Sequence, residues 1–233
     1  GTGVTLGGAV TDANVTGNII VQSGIFDNGG FAMNESSGDN LQVVNGATFR
    51  VSTATYPAGF TDILGATSTV EYNLNSAQTV DGTMTYGHLK MEASSSSTKT
   101  LGASIAILGD LTITANSILD AGTGFNIDLA GNWINSGSFT PNSGTVDFTG
   151  SGAKAITNSS GETFNNFTTT GSGLITLDND VRVNSTLTMT SANISTGTNA
   201  LQLGTNTPTE GALSYTSGTV IGKFERRILG SST

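Results

Sequence analysis

The sequence predicts an all-β protein, specifically a right-handed parallel β-helix, and three observations support this prediction. Apolar and polar residues alternate over short segments such as DLTITA, TVEYN and TVDFTG, which is the pattern of half-buried strands. The chain has 32 glycines, and Gly, Asn, Ser and Asp separate these segments. No segment carries the apolar spacing of a long amphipathic helix. Tandem β-sandwiches are the structural alternative.

Internal similarity predicts how the chain is divided. The triplet VEY at 70–72 recurs as VDF at 146–148, and the same shift of 76 positions carries ILGDLTITA onto VNSTLTMTS. We interpret this as a repeat of about 75 residues, which would hold three to four solenoid coils. The predicted units are 1–65 (N-terminal coils with divergent loops), 66–141 (first repeat), 142–216 (second repeat) and 217–233 (a basic strand or linker).

The first unit fits the pattern less regularly than the others. GNIIVQSGIFDNGG and DNLQVVNGATFRVS are interpreted as early coils with different loops. The segment Tyr56–Ala66 contains Pro57 and predicts a protruding loop.

Composition and charge exclude several classes of function. The chain has 8 basic and 17 acidic residues, a net charge of −9, and three of the basic residues lie in the last eleven positions. So acidic a body repels phosphate backbones, which argues against a nucleic-acid partner. The absence of cysteine excludes disulfides and thiolate catalysis. No apolar run approaches the ~18–20 residues that span a membrane.

Long stretches of this sequence resemble a known class of protein. NGATFRVSTATYPAGFTDILGATSTVEYNLNSAQTV and GTVDFTGSGAKAI resemble successive units of very large repetitive surface proteins of environmental bacteria. SGTVIGKFERRI is similar to the stretch that closes such an array. The resemblance covers 45–228. It implies export, often by the type IX route, an extracellular or cell-surface location, and a role as an adhesin, surface-layer or filament component. It implies no catalytic residues.

Few side chains in the sequence are candidates for catalysis or metal binding. His88 is the single histidine, and its neighbours indicate strand packing rather than a metal site or a catalytic triad. Asp178 and Asp180 form the nearest approach to a calcium site, although a D-x-D pair is far short of the ligands that Ca²⁺ requires. We prefer to interpret Asp178 and Asp180 as part of a solvated turn, with Ca²⁺ binding as the alternative. The sequence as a whole predicts no catalytic residue, metal site or cofactor.

The single tryptophan and the basic C-terminal segment are candidate binding surfaces. Trp133, the only tryptophan, would stack on a sugar ring if exposed and fill a coil if buried; burial is preferred. At the C-terminus, basic and apolar side chains occur together, and we expect them to dock on the acidic body of a neighbouring module or copy. These residues are Lys223, Phe224, Arg226, Arg227 and Ile228.

The sequence therefore predicts a non-enzymatic structural module of a bacterial extracellular protein. Stacked coils would form a stiff rod for adhesion or for filament and surface-layer assembly. The expected partners are neighbouring modules or copies, arranged head to tail, and surface polysaccharide is a further possible partner. The alternative from another class is a carbohydrate-binding or polysaccharide-cleaving β-helix, which would need clustered carboxylates and an exposed Trp133.

Overall fold

A computed structural model describes residues 3–36, 38–205 and 210–228. The described chain contains no helix and forms a β-solenoid of about 10 turns, in which all paired strands are parallel. Its strands are β1 (Val4–Thr5), β2 (Ile19–Val21), β3 (Ile25–Asp27), β4 (Asn40–Val43), β5 (Thr48–Val51), β6 (Thr61–Leu64), β7 (Thr69–Tyr72), β8 (Gln78–Val80), β9 (Thr85–Tyr86), β10 (His88–Met91), β11 (Ser97–Leu101), β12 (Ile105–Ile107), β13 (Leu111–Ile113), β14 (Ser117–Asp120), β15 (Ile127–Leu129), β16 (Trp133–Asn135), β17 (Ser138–Thr140), β18 (Thr145–Phe148), β19 (Lys154–Thr157), β20 (Glu162–Thr169), β21 (Ile175–Leu177), β22 (Val181–Met189), β23 (Ile194–Leu203), β24 (Ala212–Tyr215) and β25 (Val220–Arg226).

The strand pairings form three ladders that run along the solenoid. Ladder A joins β1, β3, β5, β7, β10, β13, β16, β19 and β21 to the first parts of β23 and β25. Ladder B has two separate stretches. The first joins β2, β4 and β6. The second joins β9, β12, β15 and β18 to the second parts of β20 and β22 and ends at β24. Ladder C also has two stretches. The first joins β8, β11, β14 and β17. The second joins the first parts of β20 and β22 to the second parts of β23 and β25. From β9 onward each turn contributes one segment to each ladder, whereas the described part of the chain before β8 contributes strands to ladders A and B only.

The alternating residues of each ladder separate an apolar interior from a polar surface. On ladder A, one inward row places these side chains on successive turns, all buried: Phe49, Val70, Leu89, Leu111, Trp133 and Ile156. The buried side chains form one contiguous cluster along the chain. Because burying a Leu, Ile or Phe side chain contributes about 1.5–3 kcal/mol, this cluster is the main source of stability.

The structure shows a repeat of one turn and does not confirm a unit of about 75 residues. Leu111 pairs with Trp133, 22 positions further along the chain. A shift of 76 carries β7 on ladder A onto β18 on ladder B, so it relates strands of different ladders. The structure does not confirm the 75-residue repeat, because similar alternating segments fit any of the three ladders.

A row of glycines sets the corner between ladders B and A. Gly65, Gly87, Gly109 and Gly131 follow one another at intervals of 22 residues. A Cβ atom on Gly87 would collide with the carbonyl oxygen of Gly65, and one on Gly131 with that of Gly109. The glycines therefore let successive turns approach closely at this corner.

Outward charges of opposite sign alternate along the early turns of ladder A. Arg50 lies between Asp27 and Glu71, with Nη1 3.7 Å from the Asp27 carboxylate and Nε 2.6 Å from that of Glu71. Lys90 Nζ approaches Glu71 Oε2 at 3.3 Å from the next turn. Each partly exposed pair contributes about 0–1 kcal/mol, so these contacts favour the correct register more than they add stability.

The segment Tyr56–Ala66 is not a protruding loop, which corrects the prediction from its proline. Tyr56 is buried in the core, and 61–64 form β6 on ladder B. Pro57 precedes the strand, where its missing N–H costs no ladder hydrogen bond.

Candidate functional site at the ends of the solenoid

The last turn presents an open edge of two strands. Among the described residues, β24 pairs with β22 and β25 pairs with β23, and neither strand has a partner on its other side. Unpaired N–H and C=O groups on such an edge form a template for another parallel strand.

Apolar side chains on this edge belong to inward rows and are nevertheless exposed. Tyr215 follows the buried Met189 in its row and is 62% exposed, while Phe224 follows the buried Leu201 and is 37% exposed. The cause is positional, since these side chains have a covering turn on one side only. The end of the solenoid therefore exposes the cross-section of its core.

The predicted docking residues lie at this edge, but their charges are partly engaged within the turn. Lys223 Nζ lies 2.6 Å from Glu225 Oε1, and this hydrogen bond raises the pKa of Lys223 and lowers that of Glu225. Arg226 donates from Nε to the carbonyl of Gly211 at 3.2 Å. Arg227 follows β25, and Ile228 is 77% exposed. The edge is thus mixed in charge rather than purely cationic.

The first turn also exposes apolar side chains beside a cavity. Val4 of β1 is 62% exposed and Ile20 of β2 is 45% exposed. A cavity of about 220 Å³ opens here, and its lining includes Val4, Ile19, Ile20, Val21, Ile25 and Phe26. Val4 lies in the inward row that continues through Phe26 to the buried Phe49, whereas Ile20 lies in an outward row with Gln42 and Ile63.

Trp133 lies in the core, which contradicts a sugar-stacking role. Its ring is 0% exposed and packs against Phe139 and Phe164. Its Nε1 donates to Glu162 Oε2 at 2.6 Å, and Asn135 Nδ2 donates to the same oxygen at 2.8 Å. Glu162 is itself buried, so this carboxylate and its donors form a polar cluster that fixes the packing of the tryptophan.

Asp178 and Asp180 serve separate structural hydrogen bonds. Asp178 accepts from the Thr157 hydroxyl at 2.7 Å, and Asp180 accepts from the Ala200 N–H at 2.8 Å. Within the part of the chain that the structure describes, no group of three or more His, Cys, Asp or Glu side chains converges as a metal site would require.

His88 takes part in an outward polar row of ladder A. Its Nδ1 accepts a hydrogen bond from the N–H of Asp110 at 2.9 Å. The Asp110 carboxylate in turn accepts from the N–H of Asn132 at 2.7 Å, one turn further on. The histidine thus links successive turns, in line with its interpretation as a packing residue.

Two lysines are buried, and the sequence analysis did not predict this. Lys99 is 0% exposed, and its ammonium donates to the carbonyls of Leu74 and Ser76 and to Ser97 Oγ. Burial lowers its pKa to about 8. Lys154 is likewise buried and donates to the Gly150 carbonyl at 2.6 Å. Both ammonium groups satisfy carbonyls at bends of the chain.

A cleft interrupts ladder B between β6 and β9, and sequence analysis missed it. It holds about 500 Å³ and is lined by Asp62, Ile63, Leu64, Thr83, Met84 and Thr85. Asp62 accepts a hydrogen bond from the buried Tyr56 hydroxyl at 2.9 Å. Burial raises the pKa of Asp62 to about 6, the Tyr56 hydrogen bond opposes this rise, and the charge of Asp81 adds to it. An isolated aspartate in TDILG gives no sequence signal for such an environment.

The raised pKa of Asp62 predicts a specific pH dependence of stability. Unfolding returns this pKa toward 3.8, so the fold loses stability as the pH rises from about 4 to about 6. We expect Asp62→Asn, which keeps an oxygen for the Tyr56 hydroxyl, to raise the free energy of unfolding by about 1–3 kcal/mol at about pH 7.5. Near pH 4 the gain should disappear. Denaturant titrations of both proteins at the two pH values provide the measurement, and a gain independent of pH would contradict the assignment.

The fold defines this chain as a β-solenoid protein. No protein-family model matches it, and neither the curated proteins nor the solved structures contain a match. No helix in residues 3–36, 38–205 or 210–228 is long and apolar enough to cross a membrane.

Proposed function

We propose that this chain is a structural module of a bacterial extracellular surface protein, where it forms a stiff rod for adhesion or for filament or surface-layer assembly. The observation that carries this proposal is the continuity of the solenoid. One apolar cluster runs from Val10 to Leu203, and hydrogen-bonded ladders connect the turns around it. A close-packed core of this kind resists bending, because any bend opens gaps between turns.

The dimensions and surface of the solenoid suit a spacer. About 10 turns spaced by the distance between neighbouring strands give a length of about 48 Å. Outward positions carry many short polar side chains, for example Thr168, Thr188 and Ser214 in one row of ladder B. A polar surface with a net charge of −9 keeps such a rod hydrated and limits lateral association.

The extracellular location rests on composition and on the resemblance to repetitive surface proteins. A cysteine-free acidic chain rich in Ser, Thr and Asn has no thiol to oxidise outside the cell. The type IX export route belongs to the same proposal. The carbohydrate-binding alternative depended on an exposed Trp133, and because that ring is buried, no observation favours it.

Location can be tested with a thiol label, because the natural chain has no cysteine. Thr112 points outward on β13, between the buried Leu111 and Ile113. In cells that produce the surface protein with Thr112→Cys, we expect a membrane-impermeant maleimide to label intact cells as strongly as lysed cells. The unaltered protein is the control for background. Labelling that requires lysis would overturn the extracellular proposal.

A further inference from the structure

We propose that the cleft between β6 and β9 binds a small organic cation, a primary ammonium group carried on a short apolar chain. The ammonium would lie against the Asp62 carboxylate, and the carbon chain would lie against Ile63, Leu64 and Met84. The site is in the wall of the solenoid between two consecutive turns, and binding there does not depend on the extracellular role proposed above.

The cleft exists because ladder B loses a pairing that ladder A keeps. β7 pairs with β10 on ladder A, whereas β6 and β9, both fully described and each preceding one of those strands, do not pair. The turn that ends at β10 is short: His88 pairs with Thr69, 19 positions back, whereas Leu111 pairs with Leu89, 22 positions back. This short turn supplies only the two residues of β9 to ladder B, and one edge of β6 stays uncovered.

The cleft is a wedge that closes toward the glycine corner. One residue beyond β6 and β9, a Cβ atom on Gly87 would collide with the carbonyl oxygen of Gly65, so the two turns are in close contact there. A strand inserted between them would need about 4.8 Å on each side and could not run along the whole gap. The volume of about 500 Å³ lies within the range of about 300–1,000 Å³ of small-molecule sites. The opening therefore suits a small ligand rather than a peptide strand.

Asp62 brings a carboxylate to an inward position in this wedge. It pairs with Leu41, which is fully buried one turn earlier. Asp62 Oδ1 accepts from the Tyr56 hydroxyl at 2.9 Å, and Oδ2 has no hydrogen-bond partner in the described part of the chain. Partial burial removes some of the water that would solvate this oxygen, so a donor from a ligand would stabilise it. The open oxygen is the expected contact of a ligand N–H group.

Charge around the cleft favours a cation. Burial raises the pKa of Asp62 to about 6, the Tyr56 hydrogen bond opposes this rise, the charge of Asp81 adds to it, and no described basic side chain lowers it. The lining residues in the described chain also include no basic side chain. An ammonium group would supply a positive charge and a hydrogen-bond donor together. A metal ion fits less well, because no three carboxylate or imidazole groups of the described residues converge.

The remaining lining suits a short carbon chain. Ile63 is 42% exposed, and Leu64 and Met84 are half-buried against the core. Thr83 and Thr85 place exposed side chains at the rim. Covering the apolar part of this surface contributes about 25 cal/mol for each Å² removed from water. The apolar wall beside a single carboxylate therefore favours an alkylammonium ion over an inorganic cation.

A nuclear magnetic resonance titration of the whole ¹⁵N-labelled chain with n-butylammonium tests the site. We expect saturable amide shifts at 61–64 and 83–85. n-Butanol has the same carbon chain without the charge, and tetramethylammonium has the charge without an N–H donor; each should bind at least tenfold more weakly. Shifts confined to other parts of the chain, no saturable shifts, or equal binding of n-butanol would overturn the proposal.

Asp62→Asn tests the carboxylate, because the amide keeps an oxygen for the Tyr56 hydroxyl and the fold should be retained. At about pH 7.5 we expect this variant to bind n-butylammonium at least tenfold more weakly than the unaltered chain. Asp178→Asn, which changes an exposed acid on a later turn, is the matched control and should bind like the unaltered chain. Equal affinity of the Asp62→Asn protein would show that Asp62 does not hold the cation.

The pH dependence of binding gives a second, independent result. Between about pH 7.5 and about pH 5, Asp62 becomes largely protonated, so the affinity of the unaltered chain should fall about tenfold. Tyr56, Tyr72 and Asp81 are the other titratable groups that act on Asp62, and both tyrosines have raised pKa values and stay neutral in this interval. The Asp62→Asn protein should bind equally weakly at both pH values. A tenfold fall that persists in this variant would assign the effect to Asp81 and overturn the role of Asp62.

Discussion

Leu111→Asp is expected to abolish the native fold. Leu111 lies in the inward row of ladder A between Leu89 and Trp133, and it is fully buried. A carboxylate at this position has no cation or hydrogen-bond donor to meet it, so the loss should exceed about 4 kcal/mol. Denaturant unfolding followed by far-ultraviolet circular dichroism and by the fluorescence of the single tryptophan measures this loss.

The matched control is the same substitution one residue further along. Thr112 points outward from β13 and is paired with Lys90 on the preceding turn. Thr112→Asp should therefore change the free energy of unfolding by no more than about 0.5 kcal/mol. Equal effects at 111 and 112 would contradict the assignment of inside and outside on ladder A.

Glu162→Ala is expected to have the second-largest effect. The substitution removes the oxygen that accepts from Trp133 Nε1 and Asn135 Nδ2, leaving two buried donors without a partner. Each unsatisfied buried group costs about 1–3 kcal/mol, so we expect a total loss of about 2–4 kcal/mol. The fluorescence of Trp133 should change in the folded protein as well, because its indole N–H loses its acceptor.

Glu162→Gln separates the acceptor from the charge. The amide keeps one oxygen for Trp133 Nε1, and the loss should be less than half of that in Glu162→Ala. Asp178→Asn, an exposed acid that accepts from Thr157, is the control for general carboxylate effects and should change stability by about 0.5 kcal/mol at most. A Glu162→Ala protein as stable as the unaltered chain would show that the buried cluster contributes nothing.

The fold class could be predicted from sequence because alternation directly reports which side of a strand is buried. TVDF and LTI show this in β18 and β13, where every apolar residue is inward. The turn length could not be predicted as readily, since loops of varying length separate the strands and obscure the interval of 22 residues. The glycines at 65, 87, 109 and 131 carried that interval in the sequence and were the available signal.

The chemistry of the interior was less predictable, because it depends on contacts between turns. Trp133 packs against Phe139 in the same turn, whereas Phe164 and Glu162 are distant in sequence and meet it only through the winding of the chain. Asp62 and the cleft beside it depend on a missing pairing between β6 and β9. By contrast, the exposure of the C-terminal residues agrees with their composition, because Phe224 and Ile228 lie at the surface among basic side chains; their docking role stays a prediction.

The basic side chains near the C-terminus are partly neutralised within the chain, which the sequence analysis did not predict. Lys223 is engaged by Glu225, and Arg226 donates to the Gly211 carbonyl. Tyr215 and Phe224, at the ends of inward rows, are exposed.

Electron microscopy of the native surface material tests the central claim, an extended structural solenoid outside the cell, most directly. We expect rods or filaments whose power spectrum contains a reflection at about 4.8 Å along the long axis, because strands lie across that axis and turns are spaced by one strand separation. Copies stacked end to end would add a repeat of about 48 Å. Compact particles without an axial reflection near 4.8 Å would contradict the structural role proposed for this chain.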